Sequence, residues 1–253
     1  MGELSEASLR RALRDAGLPD GHVRYDEATG STNATALAWA RDGAPEWALA
    51  AAGHQTAGRG RLGRTWVSRP GQALLFSFVL RPALRPERAV LLTLLAGAAM
   101  AEACAGASGR EAACKWPNDL LVGEAKVGGI LTEAAVAEGR IDHVVVGVGV
   151  NLGDPPDVEG AGGLPGTDPV ALVAAFLAGF AGPYLGDRED FAGRVLERYR
   201  PRCVTLGRRV RATTTDGRTV EGTAVEVDDA GALVVDTGHG PAAVGFGEIE
   251  HLR

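Results

Sequence analysis

Lysine is nearly missing from this 253-residue chain: of 26 basic side chains, 24 are arginine, and only Lys115 and Lys126 are lysine. Asparagine is almost as scarce, at Asn33, Asn118 and Asn151. The drift toward Ala, Arg and Gly reads as codon bias. Against that background a surviving lysine is a candidate for a place where arginine cannot substitute, because an ammonium is a compact point charge and a guanidinium a broad planar fork. The three cysteines, Cys104, Cys114 and Cys203, show no Cys-x-x-Cys spacing. That argues against a disulfide framework or a zinc site and fits a reducing cytoplasm. Glu3, Glu6, Arg10 and Arg11 interrupt the N-terminus, so it lacks the apolar core of an export signal. The most apolar stretch, Ala89 to Ala101, is shorter than the roughly 20 residues a bilayer requires and reads as a buried helix of a soluble protein. There is no excess of positive charge: the net charge of −6 argues against bulk attraction to nucleic acid. Any anion site must be local.

What is present is ordinary globular material, 45% hydrophobic and 23% charged, long enough for one large domain and a small one. Leu4, Leu9 and Leu13 suggest an opening amphipathic helix, and Val23 to Asp26 a short strand. Ser31-Thr32-Asn33 forms a good helix N-cap before Ala34 to Arg41. Trp47 to Ala52 and Ala73 to Leu80 read as buried strands, and Glu87 to Ala105 as a helix. Strands follow into Lys115, at Leu120 to Val122, at Val127 to Glu133 and at Ile141 to Val150. The proline- and glycine-rich run from Gly153 to Pro169 reads as an exposed connection. Helices are expected at Val170 to Phe180 and Arg188 to Tyr199. From Val204 the texture changes to short strands separated by Asp216-Gly217, Ala230-Gly231 and Gly238-His239-Gly240, the pattern of a small antiparallel barrel. The fold class is therefore α+β, with residues 1–201 as the larger domain and 202–253 as the smaller.

The loop Gly58-Arg59-Gly60-Arg61-Leu62-Gly63-Arg64-Thr65-Trp66 alternates three guanidiniums with glycines. Glycine admits close backbone approach, and arginine grips carboxylate or phosphate with two donors. The loop matches neither a Walker motif nor a dinucleotide turn, since it leads from strand to strand. Mutual repulsion of the three cations should leave it mobile until a polyanion arrives. Trp66 beside such a grip can stack a purine or sit in the core.

Together with Lys115-Trp116-Pro117-Asn118-Asp119, Lys126-Val127-Gly128-Gly129-Ile130-Leu131 and Gly147-Val148-Gly149-Val150-Asn151-Leu152, this loop makes the chain resemble the biotin protein ligases, in register over roughly Ser31 to Asn151. The resemblance implies a mixed sheet flanked by helices, of the class II synthetase-like, biotin–lipoate ligase type, with an SH3-like barrel behind it. It also implies a reaction: biotin and ATP give biotinyl-5′-AMP and pyrophosphate, and a lysine of a biotin carboxyl carrier domain then takes the biotinyl group. By that likeness Lys126, Arg59 and Arg61 are the catalytic charges. Ser31, Thr32, Asn33, Gln55, Gly60, Gly129, Gly147 and Gly149 join them around biotin, with Gly60 in the wrapping loop and Gly129, Gly147 and Gly149 clearing room for the tail. Arg61, Arg64, Trp66, Asn118, Lys126 and Asn151 fall on the nucleotide side, and Asp119 is a candidate to help hold Mg²⁺ or to orient Lys126. Lys115 is expected in an ion pair with Asp119 or Glu133. Cys114 and His54 are expected to be structural, since adenylation demands no Cys-His pair.

Some relatives carry an N-terminal DNA-binding module. Only 30 residues precede Ser31 here, so no repressor activity and no DNA or membrane partner is expected, and the chain could be a monomer or weak homodimer. The C-terminal residues would receive the carrier domain or complete the ATP site. A lipoate- or octanoyl-handling relative is the nearest rival, disfavoured because an alkyl chain makes no use of paired ureido contacts from Ser31, Thr32 and Gln55. A nucleic-acid-binding module is the other, disfavoured by net acidity.

Overall fold

The computed structural model describes residues 2–154, 157–214, 217–245 and 247–252. Helix α1 (Glu6–Asp15) begins at Ser5, whose hydroxyl caps Ser8, and buries Leu9, Ala12 and Leu13. Strand β1 (Val23–Asp26) follows, then α2 (Thr32–Arg41) with Ser31 at its N-cap. Strand β2 (Leu49–Ala52) starts two residues later than the apolar run suggests, because Trp47 takes a left-handed φ of 68° and stacks its indole on Phe78. Strand β3 (Ala73–Leu80) is buried along its whole length.

Helix α3 (Val90–Ser108) follows a 3₁₀ turn at Pro86–Arg88, which delays its start beyond Glu87. Including that turn the helical run reaches 23 residues and is apolar enough to cross a membrane, longer than the sequence suggested. Its burial accounts for the composition: 14 of the 19 residues of α3 lie inside the protein, packed on α4 and α5. Strands β4 (Ala113–Lys115), β5 (Asp119–Val122), β6 (Ala125–Ala137) and β7 (Arg140–Asn151) complete a seven-stranded sheet in the order β1-β2-β3-β7-β6-β5-β4. Only the β1–β2 pair is parallel; the other neighbours run antiparallel.

Helices α4 (Pro169–Leu185) and α5 (Phe191–Tyr199) cover one face with α1 and α3, where Phe76, Phe78, Phe176 and Phe180 interlock. Burying four such rings supplies much of the driving force. Helix α2 lies against the opposite face, over Val79 and Val145. The run from Gly153 to Pro169 is not wholly exposed: Leu164 is fully buried, and Lys126 and Ala161 form a β-bridge.

The second sheet is antiparallel, in the order β11-β10-β9-β8-β12, from β8 (Arg209–Thr214), β9 (Thr219–Val227), β10 (Leu233–Asp236), β11 (Pro241–Val244) and β12 (Gly247–His251). Asp216, part of one expected turn, lies outside the described residues. Val210, Ala212, Ala224, Val227, Leu233, Val235 and Val244 point inward and merge with the larger core. The two sheets are tied by polar bonds as well. The Trp116 indole N–H donates to the Gly231 carbonyl at 3.0 Å, and the Trp116 backbone N–H to Thr205 Oγ1 at 3.0 Å.

Candidate functional site

Side chains alternate between the two faces of a strand, and β6 and β7 use that alternation to make a bare strip. Ile130, Val148 and Val150 turn toward the core, while Gly129 pairs with Gly149 and Leu131 with Gly147 on the other face. The strip opens into a cavity of about 620 Å³. The N-terminus of α2, Gln55, the arginine loop, the segment from Lys115 to Asp119 and the near edge of the second sheet wall it in.

The neutral end is a network of internal bonds. A Cβ on Gly147 would lie 1.8 Å from Asn33 Oδ1, so the missing side chain admits the Asn33 amide. That oxygen accepts from the buried Ser77 hydroxyl at 2.6 Å, and Asn33 Nδ2 donates to the Leu131 carbonyl at 3.1 Å and to Glu133 at 2.9 Å. Asn33 is thus spent on the protein and holds α2 against the sheet. The Thr32 N–H donates to Gln55 Oε1 at 2.8 Å. Because that donor fixes the oxygen, the Gln55 NH₂ is left as the free end. Ser31 caps α2. A Cβ on Gly149 would fall 2.8 Å from the Trp66 ring, so Gly149 makes room for the indole rather than leaving an empty slot. Gly129 meets nothing closer than 3.6 Å.

The charged end is organised by pairing. Lys126 Nζ lies 2.6 Å from Asp119, Arg59 2.7 Å from Glu133, and Arg64 2.5 Å from Glu248 of β12. Arg61 donates to Asn118 Oδ1 and to the Gly247 carbonyl, each at 3.2 Å. Burial pushes its guanidinium below the usual arginine range, opposed by Asp119 and Glu248. Each arginine of the loop thus has a partner within the protein. Its Leu62 adopts a φ of 54° within a short 3₁₀ turn.

Lys115 lines the cavity, but neither expected ion pair forms: Asp119 is engaged by Lys126 and Glu133 by Arg59. Asn151 does not reach the cavity wall. It is buried, and its amide donates to the Gly162 carbonyl at 2.9 Å. Cys114 and His54 lie off the cavity wall as well, and burial pushes the Cys114 thiol up. Asp119, the one expected metal ligand, is committed to Lys126, and among the described residues no group of three or more His, Cys, Asp or Glu is arranged to hold an ion. The side chains do not build a metal cage of their own. Mg²⁺ commonly arrives on substrate phosphates with one or two carboxylates, which is the only mode this donor set suits.

Sequence reasoning missed the contribution of the second sheet: Arg211, Thr213, Glu248, Ile249, Glu250 and His251 also line the cavity. The alternation of Glu248 and Glu250 around Ile249 marks a half-buried strand, but nothing local says what its polar face meets. His251 Nε2 lies 3.2 Å from the fully buried Thr205 hydroxyl. Burial, then Lys115 and Arg208, push this imidazole down to about 4, so it is neutral at physiological pH.

Comparison with known proteins places these features in context. Residues 27–151 match the model of the Biotin/lipoate A/B protein ligase family, and residues 205–252 that of the Biotin protein ligase C terminal domain. The biotin–[acetyl-CoA-carboxylase] ligase of Mycobacterium tuberculosis is 35% identical over 99% of this chain and 96% of its own length. The bifunctional ligase/repressor BirA of Bacillus subtilis is 33% identical over 98% of this chain and 79% of its own. Among solved structures, the biotin protein ligase of Aquifex aeolicus in complex with biotin and ATP superposes with a TM-score of 0.72 at 23% identity, covering 92% of this chain and all of that one.

Proposed function

Because the chain belongs to the biotin protein ligases, we infer that it activates biotin with ATP and transfers it to a lysine of a carboxylase's biotin carrier domain. Likeness at 35% identity along essentially the whole of a biotin–[acetyl-CoA-carboxylase] ligase carries this reading. In the first step a biotin carboxylate oxygen attacks the α-phosphorus of ATP. An acyl C–O–P linkage forms, the bond between the α- and β-phosphates breaks, and pyrophosphate leaves. In the second the carrier amine attacks the acyl carbon, AMP departs, and nitrogen gives up a proton as the amide forms.

Two anions must meet in the first step, so positive charge has to be in place before they do. In this reading Lys126 and Arg61 stand between carboxylate and α-phosphate, and Arg59 closes over the biotinyl group. The Gln55 NH₂ offers a donor to the ureido carbonyl, and Asn33 positions rather than touches. Trp66 presents its ring to the substrates from above Gly149. Arg64 and Asn118 serve the nucleotide side. Asp119 would be the carboxylate available to hold Mg²⁺ brought by the triphosphate, and the ion would supply screening of phosphate charge. The division into a ligase domain of residues 1–201 and a smaller domain of 202–253 fits the change of texture from Val204 onward. Three buried thiols, each free, support a reducing compartment such as the cytoplasm.

The test is mass spectrometry after incubation with ATP, a carrier domain and either biotin or lipoate. A biotinyl adduct on the carrier lysine is expected. Modification by lipoate alone, or none, would remove the reading.

A further inference from the structure

Each cation of the cavity except two is matched by a carboxylate. Lys126, Arg59 and Arg64 have theirs, and Arg211 is shared between Glu221 at 2.6 Å and Glu250 at 3.1 Å. Arg61 is held by neutral oxygens. Among the described residues no carboxylate lies within ion-pair distance of Lys115, which is half-buried on the edge strand β4. In a chain with two lysines, this one lines the cavity with its charge uncommitted.

The backbone around it is fixed by the segment that leads into the second sheet. The Val204 N–H donates to the Cys114 carbonyl at 2.9 Å, and the Trp116 N–H to Thr205 Oγ1 at 3.0 Å. Thr205 in turn meets His251 Nε2 at 3.2 Å. The hydroxyl has one proton to give and two lone pairs, one of them taken by Trp116, so it can donate to Nε2 or accept from it; when it donates, the imidazole hydrogen sits on Nδ1. Nδ1 has no protein partner among the described residues. One ammonium and one neutral imidazole thus line the same cavity, and the imidazole adds no charge to repel Lys115.

We propose that Lys115 and His251 bind the β- and γ-phosphates of the nucleotide and hold the departing pyrophosphate, an inference that rests on the ligase reading above. Strand β4 is two places from β6 in the sheet, about 10 Å at the usual strand spacing. If Lys126 on β6 meets the α-phosphate, Lys115 stands at the reach of the distal ones. An ammonium suits a phosphate as a point charge without the two-pronged geometry an arginine imposes.

Pyrophosphate–ATP exchange on the full chain, with inorganic pyrophosphate and biotin each varied, tests this. Lys115→Gln should raise KM for pyrophosphate about tenfold or more and His251→Ala about two- to tenfold. KM for biotin should stay within about twofold, and Lys115→Arg should recover only part of the loss. An unmoved pyrophosphate KM in both variants, or an equal rise for biotin, overturns the assignment. If Lys115→Gln does not fold, His251→Ala carries the test. Wild-type exchange with unmoved variants sinks this inference alone; a wild-type chain without exchange sinks the ligase reading first.

Discussion

The neutral and the charged ends of the cavity are prepared in opposite ways. At the neutral end Thr32, Asn33, Ser77 and Gln55 satisfy one another through bonds of 2.6–3.1 Å, and the first three are buried. Buried polar groups left unpaired are costly, so this end has to be complete before any ligand arrives. At the charged end each pair keeps considerable solvent contact, with Lys126 42% and Arg64 69% exposed. Such pairs are worth about 0–1 kcal/mol, so phosphate oxygens can replace Asp119, Glu133 or Glu248 at little cost. One end is a mould and the other a set of exchangeable placeholders.

The sharpest way to break that contrast is to delete a cation whose ligand-free partner is cheap to lose. Lys126→Ala should leave stability almost unchanged, since its pair with Asp119 is half-exposed, yet cut pyrophosphate exchange about 10²-fold or more if it offsets charge in the transition state. Thermal unfolding measured beside the exchange assay separates the two effects. A stability loss matching the loss of activity would mean the charged end is a mould too.

The reciprocal experiment strikes the neutral end. Ser77→Ala removes the donor to Asn33 Oδ1 and the contact to Thr32 while opening almost no space. Leaving that buried oxygen unpaired should destabilise the protein by about 1–3 kcal/mol in urea unfolding. KM for biotin should rise more than KM for ATP. An unfolding midpoint equal to wild type would show that the network is slack.

How much of this was legible in the sequence follows from the range of the interactions. Strand and helix positions came through because hydrophobic period and caps act locally: β1 and β3 begin and end where the pattern does. The ends that moved did so for backbone reasons invisible to periodicity, as at Trp47 with its positive φ or at Val90 behind a 3₁₀ turn. At the site, the motif segments could be named, but their partners could not. Gly147 read as clearance for a substrate tail; its clearance is filled by Asn33, 114 positions earlier. Lys115 read as half of an ion pair with Asp119 or Glu133, but Lys126 reaches the first carboxylate across β5 and β6 and Arg59 takes the second. The role of His251 depends on two sheets meeting, for which no local pattern exists.

His251 offers the smallest and most selective test of the comparison, because it belongs to the charged end yet is kept uncharged. Its folded value of about 4 lies below the ordinary 6.5. Between those values the unfolded chain binds more protons than the folded one, so stability contributed by the neutral imidazole is complete above about pH 6.5 and is lost as pH falls toward 4. Urea unfolding of wild type and His251→Asn should therefore diverge only within that window, the wild-type advantage growing as pH rises and levelling off above it. Lys115→Gln removes one of the cations that depress the imidazole and should narrow the window from its acid side. If the two curves run parallel from pH 4 to 7, His251 titrates alike in both states, and the second sheet exerts no electrostatic hold on this wall of the cavity.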